Sequence, residues 1–129
     1  VGFAAALVLI GTAGGVGIGR WTAPDVPVVP KEPIALTAAT GSPVRVESAD
    51  LVNHTWGTEL RFVAQGFEDG ATFRAAFRLS SGDLVPAGEF IGVGSGEMTC
   101  NLQSAALRED VTEVLVTDTS GQAVLSSPL

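Results

Sequence analysis

Thr72-Phe73-Arg74-Ala75-Ala76-Phe77-Arg78-Leu79 is the stretch that decides the fold class. Phe73, Ala75, Phe77 and Leu79 fall on one side of an extended chain, and Thr72, Arg74, Ala76 and Arg78 on the other. Strands point successive side chains to opposite faces, so this alternation predicts a strand with one face buried and one in water. Working outward, Leu60, Phe62 and Ala64 repeat the pattern, as do Val44 and Val46 against Arg45 and Glu47. Residues 87–93, 97–102, 111–117 and 123–126 supply further strand candidates. Glu68-Asp69-Gly70, Ser81-Gly82-Asp83, Gly94-Ser95-Gly96 and Thr119-Ser120-Gly121 separate them, each with a glycine for a turn. Only residues 104–110 read as helical. Short strands at regular spacing predict an all-β domain over residues 34–129, an Ig-like antiparallel β-sandwich of about seven strands.

The first twenty residues read differently. Val1 to Gly19 holds no charge and one polar side chain, Thr12. As a helix this run is about 28 Å long, close to the hydrocarbon thickness of roughly 30 Å, so residues 1–20 are expected to form a single transmembrane helix. Trp21 suits the membrane–water interface. A signal peptide would need a basic leading region, which this sequence does not show, and Thr22-Ala23 ahead of Pro24 is a poor cleavage site. Gly11, Gly15 and Gly19 share one helical face. Three readings stay open for them: the ordinary abundance of small residues in membrane helices, close helix packing, and local unwinding for an intramembrane protease. Arg20 alone does not set the orientation. Val1 is not a methionine, and the native protein is expected to continue upstream.

Residues 21–33 contain Pro24, Pro27, Pro30 and Pro33, one every three residues. Proline at this density blocks helix and favours an extended polyproline conformation, which marks an exposed linker between span and domain.

Charge and side-chain inventory bound the chemistry. The net charge is -7, and the seven Lys and Arg residues are scattered. No basic cluster exists to neutralise several phosphates together, so nucleic acid is not an expected partner. Cys100 and His54 are the single residues of their kinds, hence the sole Cys–His pair available. Met98, Cys100 and Leu102 share a strand face, which reads Cys100 as a small core residue. His54 sits in the polar patch Asn53-His54-Thr55-Trp56, with no recognisable ligand spacing to Glu47 or Asp50. The chain is therefore read as non-catalytic, with no catalytic residue, cofactor or metal. Trp56 and His54 remain as candidate interaction residues. Trp56 reads either as a strand-edge ring packed on the core or as an anchor facing a partner.

His54-Thr55-Trp56-Gly57-Thr58-Glu59-Leu60, then Gly66-Phe67, then Pro86-Ala87-Gly88-Glu89-Phe90, resemble the exported C-terminal domain of actinobacterial transmembrane anti-sigma factors of the anti-sigma-K type. The ending from Val116-Thr117-Asp118 through Gly121 to Val124-Leu125 fits as well, so the likeness runs from Leu51 to Leu129. It implies a single-pass cell-membrane protein whose β domain is extracytoplasmic and whose sigma factor is freed by an outer and then an intramembrane protease. The family's sigma-binding segment, often with a zinc-binding His and Cys set, has no counterpart in these 129 residues. A sigma factor would thus be reached only through residues upstream of Val1. The alternative is a membrane-tethered binding or adhesion module unrelated to transcription.

Overall fold

A computed structural model describes residues 30–129 of the chain. The expected span at residues 1–20, its glycines Gly11, Gly15 and Gly19, and most of the expected linker lie outside the described residues. Among the described residues, no helix is long and apolar enough to cross a membrane.

Two antiparallel sheets pack face to face. The strands are β1 Lys31–Pro33, β2 Thr37–Ala38, β3 Arg45–His54, β4 Gly57–Gln65, β5 Thr72–Leu79, β6 Leu84–Ile91, β7 Met98–Ser104, β8 Val111–Asp118 and β9 Ala123–Pro128. One sheet has the order β1-β3-β4-β7 and the other β2-β9-β8-β5-β6. The sandwich expected from the alternation is present, with nine strands among the described residues in place of about seven. Seven of these are long; the two additions, β1 and β2, span three and two residues.

β1 starts at Lys31, inside the stretch read as linker. Lys31, Glu32 and Pro33 pair with Val52, Leu51 and Asp50, so the last three linker residues belong to a sheet. Proline is tolerated there because β1 is an edge strand whose missing donor leaves no central ladder bond unmade. The chain then crosses between the sheets: Ile34 packs against the core, Leu36 is buried in it, and β2 pairs with β9.

The core lies between the inner faces. Phe73, Ala75 and Phe77 of β5 meet Leu60, Phe62 and Ala64 of β4 across it, with Val114, Val116 and Leu125 beside them. Phe67 is not on a strand, yet it is fully buried. It sits in the crossing from β4 to β5, its ring centroid 6.2 Å from Phe62 in one sheet and 4.8 and 5.0 Å from Phe73 and Phe90 in the other.

β6 begins at Leu84, three residues before the expected start. Pro86 would break the ladder of a central strand, but β6 is the outer strand of its sheet and an edge accepts proline. The register jumps from Ala75–Gly88 to Ala76–Pro86, leaving a bulge at Ala87. Proline and bulge together blunt an edge otherwise open to pairing with another chain. The helix expected at residues 104–110 does not form. Ser104 ends β7, Ala106 is held by side-chain bonds, and only a 3-10 turn at Arg108–Asp110 remains.

Phe67→Ala is expected to lower the unfolding free energy by about 3–5 kcal/mol, the usual cost of truncating a buried phenylalanine. Denaturant titration measures this. A change below about 1 kcal/mol, the size of an ordinary surface substitution, would remove Phe67 from its bridging role.

Candidate functional site: the β3–β4 hairpin end

His54 closes β3 and pairs with Gly57, so Thr55-Trp56 is a two-residue turn. His54 is therefore the last residue of a strand, not part of a loop. Trp56 takes neither packing against the core nor a strand-edge position. It stands in the turn, 51% exposed. The structure brings the two candidate interaction residues together: their rings stack with centroids 4.4 Å apart and planes 7° from parallel.

Beneath the stack lies a buried acid that sequence reasoning passed over. Glu59 follows the inward/outward alternation of β4 and points to the outer face, which predicts exposure, yet it is 4% exposed. His54 Nε2 donates to Glu59 Oε1 at 2.9 Å, and Arg61 Nε donates to Glu59 Oε2. The register explains this grouping. Val52 faces Glu59 and Asp50 faces Arg61 across the pair, so His54 is diagonal to Glu59 on one face, within reach for long side chains. The Arg61 guanidinium lowers the Glu59 pKa, burial opposes it, and the His54 bond adds a smaller lowering. The available signal was the spacing: across a two-residue turn, positions five apart become same-face diagonals.

Gly57 and Thr58 fasten the turn to the neighbouring loop. A Cβ at Gly57 would collide with the backbone carbonyl of Ser104, so no larger residue fits without backbone movement. Thr58, fully buried, donates its hydroxyl to Ala106 O at 2.8 Å. At the far end of the hairpin Gly66 meets Pro43 in the same way, at a φ of 94° that also favours glycine.

Beside the turn is an open groove of about 540 Å³, lined by Glu32, Asn53, His54, Leu107 and Arg108 among others. Arg108 holds Glu32 of β1 through two bonds, Nε to Oε1 at 2.9 Å and Nη2 to Oε2 at 2.7 Å, and a third goes to Val111 O at 3.1 Å. The Arg108 guanidinium lowers the Glu32 pKa against a smaller effect of burial. No family model, curated protein or solved structure matches this chain.

Cys100 and His54 do not meet. Cys100 is on β7 opposite Phe62, buried on the inner face, and burial pushes its thiol pKa up. No group of three or more His, Cys, Asp and Glu side chains among the described residues has metal-site geometry. A second groove of about 780 Å³ opens at the opposite end, between Pro43, Gly66, Phe73 and Asp118. The Asp118 carboxylate there accepts from the Ser120 and Gln122 amides, so it serves the turn. What the hairpin end offers is a rigid aromatic platform whose histidine is held from below by a buried acid.

Glu59→Gln is expected to destabilise the domain at neutral pH by weakening the bonds to Arg61 and His54. The folded-state pKa of Glu59 is depressed, so its contribution is complete above the ordinary glutamate value of 4.5 and lost as pH falls through the lowered value. The stability gap between wild type and variant, from denaturation at several pH values, should therefore narrow on acidification. A gap independent of pH would contradict this role.

Proposed function

We propose that the sandwich is the non-catalytic, extracytoplasmic regulatory domain of a membrane-bound anti-sigma factor, controlling the proteolysis that releases the sigma factor. The observation that carries this reading is β1. The end of the linker is a strand of the domain, paired along Asp50–Val52 and clamped by Arg108 through Glu32. A protease must bind its substrate in extended form with the backbone accessible, and residues 31–33 are so held only when β1 is out of its sheet. The state of the domain thus governs access to that part of its own tether.

The residues of the family resemblance support the same reading through their structural work. Gly57 and Thr58 seat the hairpin on the loop after β7, Gly66 and Phe67 make the crossing between sheets, and Pro86-Ala87-Gly88 shapes the bulged edge. The seven long strands divide into β3-β4-β7 and β9-β8-β5-β6. This differs from the constant-type immunoglobulin arrangement in one respect: the fourth strand joins the third, not the fifth. An Ig-like sandwich is the topology proposed.

A membrane-tethered binding module outside transcription is the second reading, favoured by the half-exposed Trp56. The lifetime of the membrane-anchored protein in cells tests the first reading. Removing residues 34–129, which leaves residues 31–33 without their partner strand, should shorten the life of the remainder. Arg108→Ala, which loses an exposed ion pair of about 0.5–1 kcal/mol, should shorten it roughly two- to five-fold. Equal lifetimes for all three would refute shielding, and an unchanged sigma-dependent reporter would favour the second reading.

A further inference from the structure

The groove at the hairpin end lies where the chain arrives from its proline-rich segment. Lys31 stands opposite Val52, and the antiparallel direction of the pair carries Pro30 toward Asn53 and the Thr55-Trp56 turn. The described chain thus begins at Pro30 beside the groove. Leu107, an exposed apolar side chain, lines the groove, and the half-exposed Trp56 stands in the turn beside it. The outer face next to them is unusual too. Val52 points outward, away from the main core, yet it is fully buried, and Glu59 opposite it is nearly so.

We propose that the occupant of this hairpin end is the chain's own segment 23–30, laid against the Trp56–His54 platform. Pro24, Pro27 and Pro30 recur every three residues, the repeat of a polyproline helix, and so line one edge of it. Segments of this kind dock on exposed aromatic rings because their shape is set in advance and little entropy is lost. The segment carries three valines and one charge, Asp25, which suits a surface of one indole, one leucine and few free cations. Covalent attachment next to the groove supplies a high effective concentration, so a weak contact suffices. The inference deepens the shielding reading and rests on its premise that the tether is held by the domain. It extends protection from residues 31–33 to the whole proline-rich stretch.

The test uses the full chain in nonionic micelles, with Trp21→Phe so that Trp56 is the single indole. Elastase cleaves after small aliphatic residues but not ahead of proline, which leaves Val28–Val29 as the bond that segment 23–30 supplies. Trp56→Ala should accelerate cleavage within 23–30 roughly five-fold or more, since the cut follows the undocked population. The thermal unfolding midpoint should hold. Pro24→Ala with Pro27→Ala, which leaves the sandwich untouched but opens new elastase sites, is read by fluorescence alone and should shift Trp56 emission to the red; an unchanged emission would overturn the proposal. Equal cleavage rates would overturn the proposal. So would protection that grows with protein concentration, which indicates a second copy, or quenching of Trp56 by a brominated detergent, which indicates a lipid surface. Either result leaves the lifetime test of the regulatory reading intact, because β1 covers residues 31–33 with or without this contact.

Discussion

The sandwich depends on one ring in the wrong kind of place. Phe67 belongs to the crossing between β4 and β5, whose residues Glu68, Asp69 and Gly70 run exposed over the surface, yet its own ring is fully buried. It contacts an aromatic from each sheet, and its backbone is bridged to Gly94, which bonds both the Gly66 amide and the Phe67 carbonyl at 2.8 Å. Burying Phe67 requires partners for the backbone groups around it, and the stretch before β7 provides them. Gly66 is the companion constraint, because the chain there passes so close to Pro43 that a side chain would not fit. Phe67 thereby ties the two sheets together at this end, and the alternation of β4 and β5 continues the contact along the core.

At the opposite end the hairpin obeys a different logic. Its inner face joins the core, while its outer face carries a zigzag of side chains, His54, Glu59, Arg61 and Asp50, across two strands. Burying Glu59 is tolerable because both of its oxygens accept bonds, one from a cation. The outcome is a histidine fixed in orientation and a tryptophan fixed by the histidine. A half-exposed indole braced by a histidine is the kind of side chain that interaction anchors use. That this platform stands beside the strand through which the tether arrives links the domain's most distinctive surface to the segment it is proposed to guard.

How much of this was legible follows from what each signal encodes. Residues 72–79 were readable to the residue because one face is core and the other solvent, so burial and sequence share a period of two. β8 was legible for the same reason. β6 was read short because Pro86 carries two meanings, turn former and edge residue, and only the sheet order separates them. β1 was hidden because a prolyl segment paired at an edge looks like a prolyl segment in solution. The stretch 104–110 has helical composition, but Thr58 reaches across from another strand to hold Ala106, a contact 48 residues away in sequence. Glu59 could not be seen in a one-strand pattern, since its partners come from a diagonal on the neighbouring strand and from two residues along its own. Trp56 and His54 were identified as the residues to watch, but that they form one stacked unit depends on the length of the turn between the strands.

The fold also limits how far the N-terminal strand can come loose. β1 offers little resistance: its three residues are all exposed, and one surface ion pair holds them beyond the ladder itself. Local opening of such an element costs a fraction of global unfolding. The next residues behave oppositely. The Ile34 amide bonds to Ala49 O at 3.0 Å, Leu36 is 6% exposed in the core, and β2 is paired to the other sheet. Unpeeling from the N-terminal side should therefore run through residues 31–33 and stop at Ile34, because going further opens the core between both sheets. A soft first strand followed by a hard stop lets residues 31–33 open without unfolding the domain. A pull along the tether, or a partner competing for the hairpin end, would act on β1 first and leave the sandwich standing.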